Sequence, residues 1–294
     1  MFEHSRGVAQ LQYVKPRNEE ELLVQLQREG AMVVCGATDV LVRMRRGMSP
    51  PELVVDIADL HELKGISVST DMIVIGAATT EEVLLRERAV GCQLPLLVEV
   101  LRSLASPQIR SRGTLGGNIA NASPAADSAI PLLLYEASVQ IVGTGGQRDV
   151  PIDRFFIGPG RTALRPGEYI RSIAVPVPRV QWHAFYHKVG QRRGLVIAVA
   201  SLGMLICCRN GVVEEARLAA GSVAPTPMRL RTVESLLLNR TLGEALALEA
   251  ARLATSTVRP IDDIRATARY RRQVIGDLLQ EFLGSACGLA GGSR

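Results

Sequence analysis

Apolar positions along the chain fall into short runs broken by glycine and proline, and their spacing switches between a helical and a strand period. Glu19 to Arg28 has helical spacing and leads into AMVVC (31–35), a short strand. GATD follows, VLVRMRRG is helical again, and ELVVDI is another strand. Residues 18–57 therefore read as a small unit of alternating strands and helices, with GATD at a strand-to-helix junction. MIVIGAATT predicts a strand ending in a threonine cap, with Glu81 and Glu82 in the first turn of the next helix. Pro95 to Leu104 predicts a second helix. Ser123 is placed as the N-cap and Pro124 as the first residue of a helix running to Tyr135. SVQIVGTGGQRDV predicts a hairpin, and EYIRSIAVPVP a strand that proline ends.

The pattern then changes. AFYHKVG, VIAVASLGMLICC and VVEEARLAAGSVAP predict three antiparallel strands, with Asn210-Gly211 as a tight turn between the last two. APTPMR breaks the sheet, and helices are expected near 229–238, 242–256 and 262–282. The main boundary is expected near Pro176–Gln181. The fold class is α+β: a two-lobed N-terminal domain over 1–176, with lobes of about 1–60 and 61–176, and a C-terminal domain over 177–294 built from a three-stranded antiparallel sheet with helices.

Composition narrows the function classes. A length of 294 residues fits two ordinary domains, and 47% hydrophobic content supports full cores. Net charge is +5, yet Lys15, Lys64 and Lys188 are the only lysines. The arginines are scattered without interleaved aromatics, which argues against nucleic-acid binding. Five cysteines form no C-x-x-C pair, and the start MFEHSRGVAQ has no apolar leader core, so reduced thiols and a cytoplasmic location are expected. The longest apolar run, Val196 to Cys208, is shorter than the roughly 20 residues of a membrane span.

Two glycine-bearing segments carry the candidate chemistry. In TLGGNIANASPAAD (114–127) a glycine pair precedes a helix start, where backbone N–H groups and partial positive charge favour a phosphate without any lysine. A branched side chain at Gly116 would block that approach. Asn118 and Asn121 suit a ribose or ribityl chain, and Asp127 a sugar hydroxyl. CGATD (35–39) repeats the logic, so one extended ligand between two lobes is expected. No G-x-x-x-x-G-K-[ST] motif supports a magnesium nucleotide. Taken alone, a glycine pair is more often a simple turn than a site, and Asp127 is as readily a helix-dipole residue.

The order of segments resembles a known family. CGATDVLVRMRRG is similar to the A-G-G-T-D-L-L-V loop of the FAD-binding medium subunits of molybdenum hydroxylases, the xanthine dehydrogenase and carbon monoxide dehydrogenase type. SLASPQIRSRGTLGGNIANASPAADSAIPLLLY resembles that family's second flavin loop, and FFIGPGRTALRPGEYIRSIAVP its F-F-x-G-P-G-K-T segment. KVGQRRGLVIAVAS, ARLAAGSVAPTPMR and DIRATARYRR match phrases of its C-terminal domain. The resemblance implies a PCMH-type domain holding FAD between two lobes, with the C-terminal domain over the flavin ring. It assigns Val33, Val34, Cys35, Gly36, Ala37, Thr38, Asp39 and Val40 to the pyrophosphate and ribityl region. It assigns Thr114, Leu115, Gly116, Gly117 and Asn118 to the second phosphate loop, with polar contacts from Asn121 and Asp127. Leu104 and Ile170 match apolar positions beside the cofactor, Lys188 a basic position near the flavin, and Tyr186 an aromatic position on the ring. Ala37 departs from the family's second glycine, a change that strains the chain if that position has positive φ.

What the resemblance implies for function is an electron relay. A 2Fe–2S subunit passes electrons to FAD, a large molybdopterin subunit performs the substrate chemistry, and NAD or another acceptor takes the electrons. No catalytic acid, base or nucleophile and no metal ligand is assigned to this chain. Two other readings stay open: a self-sufficient flavin oxidase or reductase, for which Tyr186, His187 and Tyr270 are the candidate residues, and a non-enzymatic nucleotide-binding assembly module. His183 and His187, about 13 Å apart along a strand, suit no shared metal. Arg192 and Arg193 fit a flavin mouth, a partner surface or a solvated turn equally well.

Overall fold

The computed structural model describes residues 11–191 and 197–291. Arg192 and Arg193 lie outside the described residues. The first lobe runs β1 (Gln12–Val14), α1 (Glu19–Leu26), β2 (Ala31–Val34), α2 (Val40–Arg45) and β3 (Leu53–Asp56). Its strands form a parallel sheet in the order β1-β3-β2, the helices being the crossovers that parallel pairing requires. Asn18 caps α1 by accepting the Glu21 N–H at 2.8 Å. Leu22 and Leu26 then pack on Leu53 and Val55 in a small core.

The second lobe begins with β4 (Ile66–Val68) and β5 (Met72–Gly76), then six helices: α3 (Glu81–Arg86), α4 (Arg88–Gln93), α5 (Pro95–Ser103), α6 (Pro107–Arg110), α7 (Leu115–Asn121) and α8 (Ala129–Leu134). It continues with β6 (Ser138–Gly143), β7 (Gly146–Pro151), α9 (Ile152–Phe155), β8 (Phe156–Gly158), β9 (Arg161–Thr162) and β10 (Tyr169–Pro176). The main sheet is antiparallel, ordered β4-β5-β10-β6-β7.

The helix start expected at Ser123–Pro124 is not formed. The glycine pair does not precede a helix at Ser123–Pro124; it lies inside the first turn of α7, capped by Thr114. Ala122, in the left-handed region at φ 45°, ends that helix. Ser123 to Ser128 is then a turn, because its carbonyl neighbours serve other segments. Ala122 C=O accepts the Gly160 N–H and Pro124 C=O accepts the Ser222 N–H. The next helix can start only at Ala129.

The C-terminal part has β11 (His183–Val189), β12 (Ala200–Arg209), β13 (Val212–Gly221) and β14 (Met228–Arg229), then α10 (Arg231–Leu237), α11 (Glu244–Thr257) and α12 (Ala268–Gly291). The three expected strands pair antiparallel, and two residues of the segment expected to break the sheet add a fourth strand, β14. Asn210 and Gly211 both have positive φ, as their tight turn demands. The run 198–206 is almost continuously apolar because both sheet faces are covered. Leu202, Met204 and Ile206 pack on the C-terminal helices, whereas Leu205 joins the core of the second lobe. Gly203 admits α8 to that face: a Cβ there would lie 2.6 Å from Ile130 Cγ2.

The last helix starts six residues later than the sequence pattern predicts. Asp263 instead gathers Arg265 and Arg271, and its carboxyl is held well below the usual range, first by the Arg265 hydrogen bond. Arg271 is buried and donates to Val199 C=O (2.9 Å) and Ser222 C=O (2.8 Å), tying α12 to the sheet.

Candidate functional site

A cleft of about 710 Å³ lies between the lobes. Its first wall is the segment from Met32 to Val40 with Arg43. The opposite wall is built from Glu81, Leu104, Ile109, Thr114, Gly117, Asn118, Asn121 and Asp127, among others. The two walls meet at Gly36. A Cβ on that residue would sit 1.9 Å from the Arg112 carbonyl oxygen, so only glycine permits the backbones to approach this closely.

The two glycine loops differ in what they offer. In the second, every early N–H of α7 is already bonded within the protein. Leu115 donates to Thr79 C=O (3.1 Å), Gly116 to Ala77 C=O (3.1 Å), Gly117 to Thr114 Oγ1 (3.0 Å) and Asn118 to Thr114 C=O (2.9 Å). That loop is therefore no free N–H cradle. In the first loop the N–H groups of Ala37, Thr38, Asp39 and Val40 find no partner among the described residues. Successive free amides in a turn make a concavity that favours an anion. Ala37 sits at φ 55°, the strained position its departure from glycine implied.

Side chains complete the walls. Arg43 reaches across from α2 to Asn121 Oδ1 (3.4 Å) and lies 4.0 Å from Asp39. Asn118 donates to Glu81 Oε1 (3.2 Å) and accepts from Ser128 Oγ (2.9 Å). Burial pushes the Glu81 carboxyl up to about 7, against the Asn118 hydrogen bond and the Arg110 charge. Asp127 is a junction. It accepts from Lys188 Nζ (2.8 Å) and Tyr186 Oη (3.1 Å), both from β11, while Lys188 also donates to Ser103 C=O (2.9 Å). Burial raises the Asp127 carboxyl, and Lys188 opposes the shift. Burial likewise raises the Tyr186 hydroxyl and the Cys35 thiol.

Most of the residues singled out in the sequence line this cleft: Val33 to Val40, Leu104, Thr114, Gly117, Asn118, Asn121 and Asp127. Tyr186 and Lys188 stand behind its wall, through Asp127. Three do not face it. Leu115 is fully buried in the core of the second lobe, Ile170 pairs with Ile141 inside the sheet, and Gly116 packs on Ala77. A Cβ on Gly116 would lie 2.6 Å from Ala77 Cβ, so this glycine serves helix-on-strand packing and does not open a phosphate path. Glu81, Arg43 and Ile197 line the cleft without having been singled out. The spacing of Arg43 four residues after Asp39 is a signal for the second; nothing in the local sequence marks Glu81 apart from Glu82.

Comparison with known proteins decides the family. Residues 9–178 match the FAD binding domain in molybdopterin dehydrogenase, and residues 185–286 match the CO dehydrogenase flavoprotein C-terminal domain. The chain belongs to the FAD-binding medium subunits of the xanthine dehydrogenase and carbon monoxide dehydrogenase family. It is 31% identical to the carbon monoxide dehydrogenase medium chain of Hydrogenophaga pseudoflava, over 94% of this chain and 96% of that one. It is 34% identical to the xanthine dehydrogenase FAD-binding subunit of Escherichia coli O157:H7, over 89% and 90%. Among solved structures, carbon monoxide dehydrogenase from Hydrogenophaga pseudoflava matches with a TM-score of 0.90 at 31% identity, covering 94% of this chain and 98% of that one. Quinoline 2-oxidoreductase from Pseudomonas putida 86 matches with 0.89 at 25% identity, covering 95% and 98%. As a medium subunit the chain is thus a flavoprotein component of an oxidoreductase complex, with FAD as its cofactor. The free amides of 37–40, with Arg43 beside them, fit the dianionic diphosphate of that cofactor. Among the described residues no helix is long and apolar enough to cross a membrane, and no cluster of His, Cys, Asp or Glu suits a metal.

Proposed function

We propose that this chain is the flavin relay of a three-component molybdenum hydroxylase in the cytoplasm. A 2Fe–2S subunit would deliver electrons, a molybdopterin subunit would choose and oxidise the substrate, and NAD or another acceptor would take the electrons away. Bound FAD supplies the ability to accept electrons singly and release them as a pair. The observation that carries the reading is the run of amides at 37–40, without partners among the described residues, along one wall of an interlobe cleft.

The chain's own residues bind and position. Val33 to Val40 would hold the diphosphate, with Arg43 as the nearby cation. Thr114, Gly117, Asn118 and Asn121 would form the opposite wall, and Leu104 its apolar part. Asp127, Tyr186 and Lys188 would join the C-terminal domain to the cleft and fix the field at that end. Tyr186 is already committed to Asp127, which leaves it poorly placed as a free acid for a self-sufficient oxidase. Titration of the cofactor-stripped chain with FAD, FMN and AMP tests the reading. FAD should bind tightest, since FMN lacks the diphosphate and AMP the ring. AMP binding as tight as FAD would instead support a plain nucleotide module.

A further inference from the structure

Glu81 is 2% exposed, yet it borders the cleft. Its backbone N–H donates to Gly113 C=O (3.0 Å), which holds the start of α3 against the second wall. Oε1 accepts the Asn118 amide at 3.2 Å. Oε2 accepts no hydrogen bond from any described residue. Glu81 lines the cleft and its Oε1 is taken by Asn118, so Oε2 is the oxygen left for a ligand there. Gly113 leaves it room: a Cβ there would come within 3.2 Å of Oε2.

A carboxylate in this place would share a cleft with the diphosphate of the cofactor. Two like charges in a water-poor site repel strongly, and a buried carboxyl answers by keeping its proton. We propose that Glu81 is a cofactor-contacting residue that works as the neutral acid, donating its Oε2 proton to an acceptor oxygen of FAD, so that FAD and one proton bind together. The proton comes from solvent, and no bond other than the O–H is made or broken. The proposal rests on FAD occupying this cleft.

The charged surroundings fit. Arg110 of α6 is the near cation, but it is engaged with Glu82 Oε2 (3.4 Å) and with the Leu104 and Ala105 carbonyls. Asp127 is the near anion, paired with Lys188. Asp39, Arg43 and Cys35 stand on the opposite wall. Arg88 of α4 and Glu99 and Arg102 of α5, the other elements packed near α3, are exposed. Burial, the largest influence, raises this carboxyl to about 7, so the proton is half-held at neutral pH before the cofactor arrives.

Calorimetric titration of the cofactor-stripped full chain with FAD, in buffers of different ionisation enthalpy at pH 8, counts the protons taken up. The expected count approaches one, and the apparent FAD dissociation constant should rise up to about tenfold per pH unit above 7. E81Q keeps shape and hydrogen bonding but cannot titrate. With its fold checked by circular dichroism, it should bind FAD without proton uptake and with a flat pH profile. Wild-type FAD binding with no proton uptake overturns the proposal while leaving the cofactor assignment standing, and this holds whether or not E81Q folds. A pH slope that persists in E81Q also overturns it. Failure of the wild-type chain to bind FAD at any pH overturns the assignment and the proposal together.

Discussion

Lys188 Nζ lies 2.8 Å from Asp127 Oδ2, and both side chains are more than nine-tenths buried. The first comes from β11 of the C-terminal sheet, the second from the turn before α8, so this ion pair joins the C-terminal domain to the wall of the cofactor cleft. Tyr186 donates to the same carboxylate, two residues earlier on the same face of the strand. Breaking such a pair on one side leaves a buried charge without compensation. Lys188→Met should therefore cost about 3–5 kcal/mol of unfolding free energy. Urea denaturation at pH 7 reads the loss, and Asp127→Asn in the same chain should recover much of it. An additive double variant would show that the two groups act independently.

Ala37 stands at φ 55°, where an L side chain costs roughly 1–2 kcal/mol. Ala37→Gly relieves that strain but loosens the unfolded chain, at a cost of about 0.4–1 kcal/mol. A net gain of about 0.5 kcal/mol is expected, seen as a higher urea midpoint at unchanged slope, with FAD affinity preserved or improved. A lower midpoint would mean that the methyl group packs usefully in this turn.

Gly116 and Gly117 should behave differently despite being neighbours. Gly116→Val drives its side chain into Ala77 and should lower the melting temperature of the cofactor-free protein, an overpacking cost of about 1–3 kcal/mol or more. Gly117→Ala approaches only Thr114 Oγ1, at 2.9 Å, on the cleft side. It should keep the fold and weaken FAD binding several-fold. Thermal melts without cofactor, followed by FAD titration, separate the two outcomes.

Glu81 also makes the cofactor-free fold sensitive to pH. Its carboxyl rises from an ordinary 4.5 to about 7 on folding. Between those values the folded chain keeps a proton that the unfolded chain has released, so stability falls as pH rises through the window. E81Q lacks this penalty. It should match wild type near pH 4 and exceed it at pH 8 by on the order of 3 kcal/mol, as measured by urea denaturation. Parallel stability profiles for the two proteins would show that folding leaves the Glu81 carboxyl unshifted.

The alternation of helical and strand periods announced both lobes, the C-terminal sheet and its Asn210-Gly211 turn, because those signals are local. The order of segments along the whole chain, from the two glycine loops to the phrases of the C-terminal domain, was enough to recognise the family and its cofactor. What the sequence could not supply was the division of labour between those loops. Gly36, Gly116 and Gly117 look alike in one dimension. Only packing shows that the first admits the Arg112 backbone, the second admits Ala77, and the third borders the cleft. The free amides at 37–40 and the satisfied ones at 115–118 follow from which carbonyls the fold brings near, and those carbonyls come from residues as distant as Ala77 and Thr79. Glu81 was legible only as a helix-start acid like Glu82. Burial against Gly113 and Asn118 separates the two, since the energy of a charge depends on the medium around it, and that medium is assembled from segments far apart in the chain.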